Sequence, residues 1–252
     1  MNGFLELLAL STLMGLSIFL SLPIVLRKAM DSRTITVLNA AAIGILIFLV
    51  ADVYANASAI MFPSGYVGAG LPVAIFTAGF LGCFLVLFVL ARPSPGAAAA
   101  TPNSLALIIA IAIAFQNLTE GLVFGAAWAL GITGLLVVIF VGFFLQNVTE
   151  GFPIAAPYFG FERPPIARLA TYFVLGGMPT VVGGVVGYYW NSANLDVLFD
   201  SLAIGAVVYA VLPMVRSAFR GAATPGESRT RHDLVYLGLA AGFVVGFLVN
   251  AI

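Results

Sequence analysis

Residues 103–157 read NSLALIIAIAIAFQNLTEGLVFGAAWALGITGLLVVIFVGFFLQNVTEGFPIAAP. This is two apolar runs, Asn103–Leu130 and Gly134–Pro157, joined by the four residues GITG. Each exceeds the ~20 apolar residues that carry a helix across the hydrocarbon core. Neither shows the inside/outside alternation of a barrel strand, so both are helices, and GITG is a tight turn between them. Each also carries the same polar hexad: Gln116-Asn117-Leu118-Thr119-Glu120-Gly121 and Gln146-Asn147-Val148-Thr149-Glu150-Gly151. QNxTEG thus occurs twice, thirty residues apart.

Within each hexad Gln and Glu stand at i,i+4 and Asn and Glu at i,i+3, which puts all three on one helical face. Counted back from the turn, the two copies lie within about one residue of the same level, roughly 1.5 Å of helical rise. That level is near the middle of both helices. A carboxylate at the bilayer centre costs at least about 2.5 kcal/mol, and such residues mark function by default. Six oxygen-bearing side chains, Gln116, Asn117, Glu120, Gln146, Asn147 and Glu150, therefore converge at the midplane, where transporters hold their ions. Carboxylate and amide oxygens are hard donors suited to cations, and two ionised glutamates balance one divalent ion. Two close carboxylates resist ionising together, so one is expected to take up a proton when the ion leaves. The competing reading is packing: Asn, Gln and Thr also hydrogen-bond across membrane helices as glue. Asn-Leu-Thr and Asn-Val-Thr match a glycosylation sequon, but they lie too deep for that chemistry.

Six further apolar runs flank this pair: Phe4–Leu26, Thr34–Ala55, Gly70–Ala91, Pro165–Trp190, Val197–Val215 and Asp233–Ile252. The whole chain of 252 residues is 62% hydrophobic and 8% charged, with mean hydropathy +1.13. A soluble domain carries about 25% charge, so a soluble enzyme, a nucleic-acid binder and a disordered chain are excluded. The expected fold is an all-α polytopic membrane protein of eight transmembrane helices, one domain over residues 1–252. The N-terminus lacks a basic region before its first apolar run, so that run is expected to be a helix rather than a cleaved signal.

The connectors divide the chain. RPSPGAAAATP, residues 92–102, is a flexible linker. Another polar stretch runs from Arg216 to His232, and Asn56 to Gly68 is neutral and turn-rich. A 3+2+3 grouping follows: helices 1–3 over about 4–91, helices 4–5 over about 103–157, helices 6–8 over about 165–252. All ten basic residues fall in the connectors after runs one, three, five and seven or, for Arg168, within a turn of one. Basic loops stay cytoplasmic, so both termini are expected outside, extracellular or periplasmic, with the chain in the cytoplasmic (plasma) membrane. Net charge is zero, which gives no attraction to nucleic acid.

Other residues carry weaker signals. Cys83 is the single cysteine and His232 the single histidine, so there is no intramolecular disulfide and no Cys-rich metal site; His232 reads as solvated. Asp196 and Asp200, placed at the start of run seven, read as helix-terminal charge or as cation collectors at the outer mouth. Asp52 reads as an interfacial or path residue. Tyr54, Tyr66, Tyr188, Tyr189 and Trp190 read as interface anchors. Pro153 and Pro157 can bend run five, and Gly183, Gly184 and Gly187 permit close helix packing. No phosphate loop, GxGxxG or GxSxG is present, so no enzyme activity and no cofactor are expected.

The double hexad, the eight helices, the outward termini and the basic loop after run three resemble the ZIP family of divalent-metal transporters. The family's fourth helix carries His-Asn-x-Pro-Glu-Gly, and its fifth carries His or Gln, then Asn or Asp, then x-Pro-Glu-Gly. The resemblance implies metal ligation by Asn117 and Glu120 in the fourth helix and by Gln146, Asn147 and Glu150 in the fifth. Phe152 to Pro157 fits the small-residue run that follows. The specific part spans Ala110 to Tyr158. Gln116 replaces a histidine, Thr119 and Thr149 replace prolines, and in Gly176-Gly177-Met178-Pro179 the residue Met178 stands where the family has a glutamate. The His-rich loop between helices three and four is absent. Loss of imidazole shifts the expected preference from zinc or iron toward harder ions such as manganese or magnesium, at one ion per chain, with Met178 as a further candidate ligand. The resemblance also implies a homodimer, with helices one, four, five and six sliding against two, three, seven and eight. The alternatives are a structural or regulatory membrane protein that kept the fold without transport, and a transporter of another small solute.

Overall fold

The structure, a computed structural model, describes residues 3–26, 31–65, 67–68, 70–90, 101–131, 133–159, 161–162, 164–190, 192–219 and 225–251. The linker 92–100, Arg27, Lys28, Arg163, Arg220 and Tyr66 lie outside the described residues. Among the described residues every regular element is helical: α1 (Gly3–Leu16), a 3-10 segment (Ser17–Ser21), α2 (Leu22–Val25), α3 (Ser32–Met61), α4 (Gly70–Leu90), α5 (Pro102–Leu130), α6 (Thr133–Ala155), a 3-10 turn (Ala156–Tyr158), α7 (Ile166–Gly177), α8 (Pro179–Tyr189), α9 (Ala193–Ala218) and α10 (Pro225–Asn250). Eight helical stretches among the described residues are long and apolar enough to span a membrane. The pattern is that of a multi-pass membrane protein, in which every backbone polar group of a span must be satisfied within the protein.

Local chemistry sets several ends. Asp31 caps α3 by accepting the Thr34 N–H at 2.9 Å, and that hydrogen bonding holds its carboxyl below the usual range. Thr101 caps α5 by accepting from the Ser104 N–H, with Pro102 in the first helical turn, where its missing N–H costs nothing. Gly131 closes α5 at φ +69, a left-handed conformation that glycine adopts without strain. That turn folds α6 back against α5.

Three connectors are shorter than their composition suggested. Helix α3 continues through Asn56–Met61, α9 begins at Ala193 instead of Val197, and α10 begins at Pro225, so most of the polar stretch before His232 is helical. Polar residues in these turns extend apolar helices because a helix leaving the membrane keeps its own hydrogen bonds whatever its side chains face. His232 is not freely solvated: it is half-buried, with its ring edge-to-face on Phe219 at 5.3 Å.

The helices sort in space differently from their order along the chain. α1, the 3-10 segment after it, α5, α6, α7 and α8 pack together; α3, α4, α9 and α10 form a second group, built on the α3–α10 and α4–α9 pairs. The main seam between the groups runs between α5 and α9, with lesser contacts of α6 on α3 and α10. Among lipid tails no hydrophobic force draws helices together, so backbone approach through small residues matters more. The α5–α8 interface works this way: Gly183 and Gly187 lie against the carbonyls of Leu118 and Leu122, as the small-residue reading expected. Conversely, α4 turns most of its apolar surface outward, with Leu85, Val86 and Val89 more than half exposed.

Candidate cation-binding site

The antiparallel α5 and α6 bring all six hexad side chains into one buried cluster. Gln116, Asn117, Glu120, Gln146, Asn147 and Glu150 are each at most 5% exposed. The two hexads exchange partners: Asn117 Nδ2 donates to Glu150 Oε2 at 2.9 Å, and Asn147 Nδ2 donates to Glu120 Oε2 at 3.3 Å. Gln116 Nε2 donates to Glu120 Oε1 at 3.0 Å within its own helix, as the i,i+4 spacing requires. Equal depth of the two copies is thereby seen directly.

Three of the four amide nitrogens, those of Gln116, Asn117 and Asn147, hold the carboxyl groups, while the amide oxygens are left over. Among the described residues, the buried side-chain atoms without a hydrogen-bond partner are Gln116 Oε1, Asn117 Oδ1, Gln146 Nε2, Gln146 Oε1, Asn147 Oδ1 and Glu150 Oε1. All six belong to the hexads, and five are oxygens. A buried polar atom left unpaired costs about 1–3 kcal/mol, and a concentration of them in one cluster calls for a ligand. Oxygens alone cannot satisfy one another; a cation or a donor can.

The remaining hexad letters are structural. Thr119 Oγ1 donates to Phe115 O at 3.3 Å and Thr149 Oγ1 to Gln146 O at 2.7 Å. A proline at 119 would leave Phe115 O without its helical N–H; here the hydroxyl supplies a bond to that same carbonyl. Each terminal glycine lies where another span presses in. A Cβ on Gly121 would strike the Thr180 carbonyl, and one on Gly151 would strike Ser21 Oγ and sit 2.6 Å from Ile18 O. These contacts leave no mark in the sequence, because glycine in an apolar helix has many uses.

Span six is broken beside the cluster. α7 ends at Gly177, α8 begins at Pro179, and Met178 sits between them. Met178 is only half-buried. The contact from this break to the hexads is made by the backbone: Asn117 Nδ2 donates to Gly176 O at 3.0 Å. This backbone oxygen was invisible to a reading of side chains.

Two further acids border the cluster from the second helical group. Asp52 on α3 accepts from Asn250 Nδ2 at 2.7 Å, lies close enough to Glu120 and Glu150 for their charges to interact, and is approached by Gln146. Asp200 does not sit at a helix terminus. The earlier start of α9 places it in the second turn, 1% exposed, accepting from Asn56 Nδ2 at 2.7 Å and lying beside Thr119. It spans the seam one residue from Glu120. Its reading as terminal helix charge fails because the four residues before Val197, Ala193 to Asp196, are already helical.

Among the described residues no three His, Cys, Asp or Glu side chains gather in one cluster; the donor set is two carboxyl groups with four amides. No family model matches the chain, and no curated protein matches it.

Proposed function

We propose that the protein is a ZIP-like transporter of divalent metal cations, carrying one hard ion such as manganese through the Glu120/Glu150 cluster by alternating access. The observation that carries this reading is the set of five unpartnered buried oxygens, all contributed by the paired hexads. Glu120 and Glu150 supply charge; Gln116, Asn117, Gln146 and Asn147 supply neutral oxygens, which suit manganese or magnesium better than zinc or iron. The sorting of α1 and α5–α8 away from α3, α4, α9 and α10 supports a motion of one group past the other. The basic-loop pattern supports a cytoplasmic-membrane orientation with both termini outside. The 3+2+3 grouping along the chain and a homodimeric assembly belong to the same reading.

The test is uptake of manganese and zinc into liposomes holding wild type, Glu120→Gln or Glu150→Gln. Loss of uptake in both variants supports transport. Equal uptake in all three rejects it and leaves the amide–carboxyl network as structural glue.

A further inference from the structure

A proline removes one N–H from a helix and frees the carbonyl four residues earlier. In span six Pro179 removes the bond that Leu175 O would accept. The disturbance spreads by two residues. Val181 N bonds to Met178 O at 3.0 Å, a three-residue step, and Gly177 O accepts from the Thr180 hydroxyl at 2.8 Å. The Gly176 carbonyl turns to Asn117 Nδ2 at 3.0 Å. The same Nδ2 donates to Glu150 Oε2 at 2.9 Å. One electropositive NH2 group is thus held jointly by a carboxyl oxygen and a main-chain oxygen. Two oxygens that share such a group are oriented for positive charge.

We infer that the main-chain carbonyl of Gly176 is a ligand of the cation held by Glu120 and Glu150, delivered to the site by the break at Met178–Pro179. The inference rests on the reading of the hexads as a cation site and adds a donor that no side chain supplies. When Asn117 turns its amide over, the unpartnered Oδ1 takes the position of Nδ2, and Oδ1, Gly176 O and Glu150 Oε2 face a common point. Broken membrane helices use their freed carbonyls in this manner where the backbone lines a binding cavity. The carbonyl is a hard, neutral donor. It fills out the coordination that Met178, half-buried in the same break, is badly placed to complete.

The experiment uses purified full-length protein labelled with carbonyl-13C glycine and loaded with Mn2+, read by electron–nuclear double resonance. A strong 13C coupling is expected in wild type. It is expected to vanish from the bound Mn2+ of Gly176→Ala, where the carbonyl remains but carries no label. A Cβ there meets the mobile end of Ile154 at 3.1 Å, with Ile113 and Ile18 side-chain carbons at 3.4 Å and no backbone atom among these three. Pro179→Ala, which restores an N–H to the helix, is expected to lose the coupling and weaken Mn2+ binding by tenfold or more; Met178→Ala is expected to change neither. Bound Mn2+ without a glycine 13C coupling, or a coupling that persists in Gly176→Ala, overturns the inference and leaves the cation site standing. Absence of Mn2+ binding in wild type overturns both.

Discussion

Asn117 and Glu150 stand on different helices, 33 residues apart in the chain, yet the amide of one donates to the carboxyl of the other at 2.9 Å inside the membrane-spanning region. The mirror pair, Asn147 with Glu120, closes the ring at 3.3 Å. Removing either asparagine strips a buried carboxyl group of a donor. Asn117→Ala and Asn147→Ala should each cost about 2 kcal/mol of stability, the range for hydrogen bonds to charged groups, and should reduce cation uptake at least tenfold. Thermal melting in detergent and liposome flux measure the two effects separately.

Charge balance fixes stoichiometry. Two carboxyl groups among neutral amides balance one divalent ion, so calorimetry should find one Mn2+ per chain. Saturating Mn2+ should stabilise wild type by about 2.7 kcal/mol at a hundred times Kd, and Glu120→Gln or Glu150→Gln should abolish most of that gain. Two tightly bound ions per chain would contradict the assignment.

Protons and the proposed cation would compete for the same oxygens, because carboxyl ligands bind metal in deprotonated form. Affinity for Mn2+ should therefore fall as pH falls, by about tenfold per unit wherever one proton is displaced per ion. Asp52 is a further acid on α3 beside the cluster, so the profile should be remeasured in Asp52→Asn. A flat profile from pH 8 to pH 5 would remove the proton from the cycle.

Asp200 joins α9 to α3 through Asn56 at 2.7 Å and borders Thr119 on α5. Asp200→Ala should slow uptake severalfold while leaving equilibrium Mn2+ affinity nearly unchanged, because the residue sits at the seam and outside the donor cluster. An affinity loss as large as that of Glu120→Gln would instead place it among the ligands.

Packing of the hexad glycines is testable without any ion. Gly121→Leu inserts a side chain where the Thr180 carbonyl already stands. Overpacking of this kind costs about 1–3 kcal/mol or more, visible as a lower melting temperature and loss of monodisperse protein.

The eight spans were legible because apolar length is a coarse signal that turns rarely imitate. The cluster was legible because Gln, Asn and Glu at three- and four-residue spacing leave one geometry on a helix, and the GITG turn sets the depth of both copies. The ends of α3, α9 and α10 were not, since polar residues outside the lipid fit helix and turn alike. Asp200 was misplaced for that reason: a helix start four residues late turned a buried seam residue into a terminal one. Gly176 was missed because its contribution is a main-chain oxygen, and only the path of the broken helix shows where it points.

The tight reversal at Gly131 has a consequence of its own. It lays one six-letter message beside its copy in the opposite sense, so the cluster presents nearly the same face toward either leaflet. Under the proposed function, a waypoint built like this would have no preferred door. Any bias would then have to come from what surrounds it, from the acids of α3 and α9 and from the gradients on the two sides.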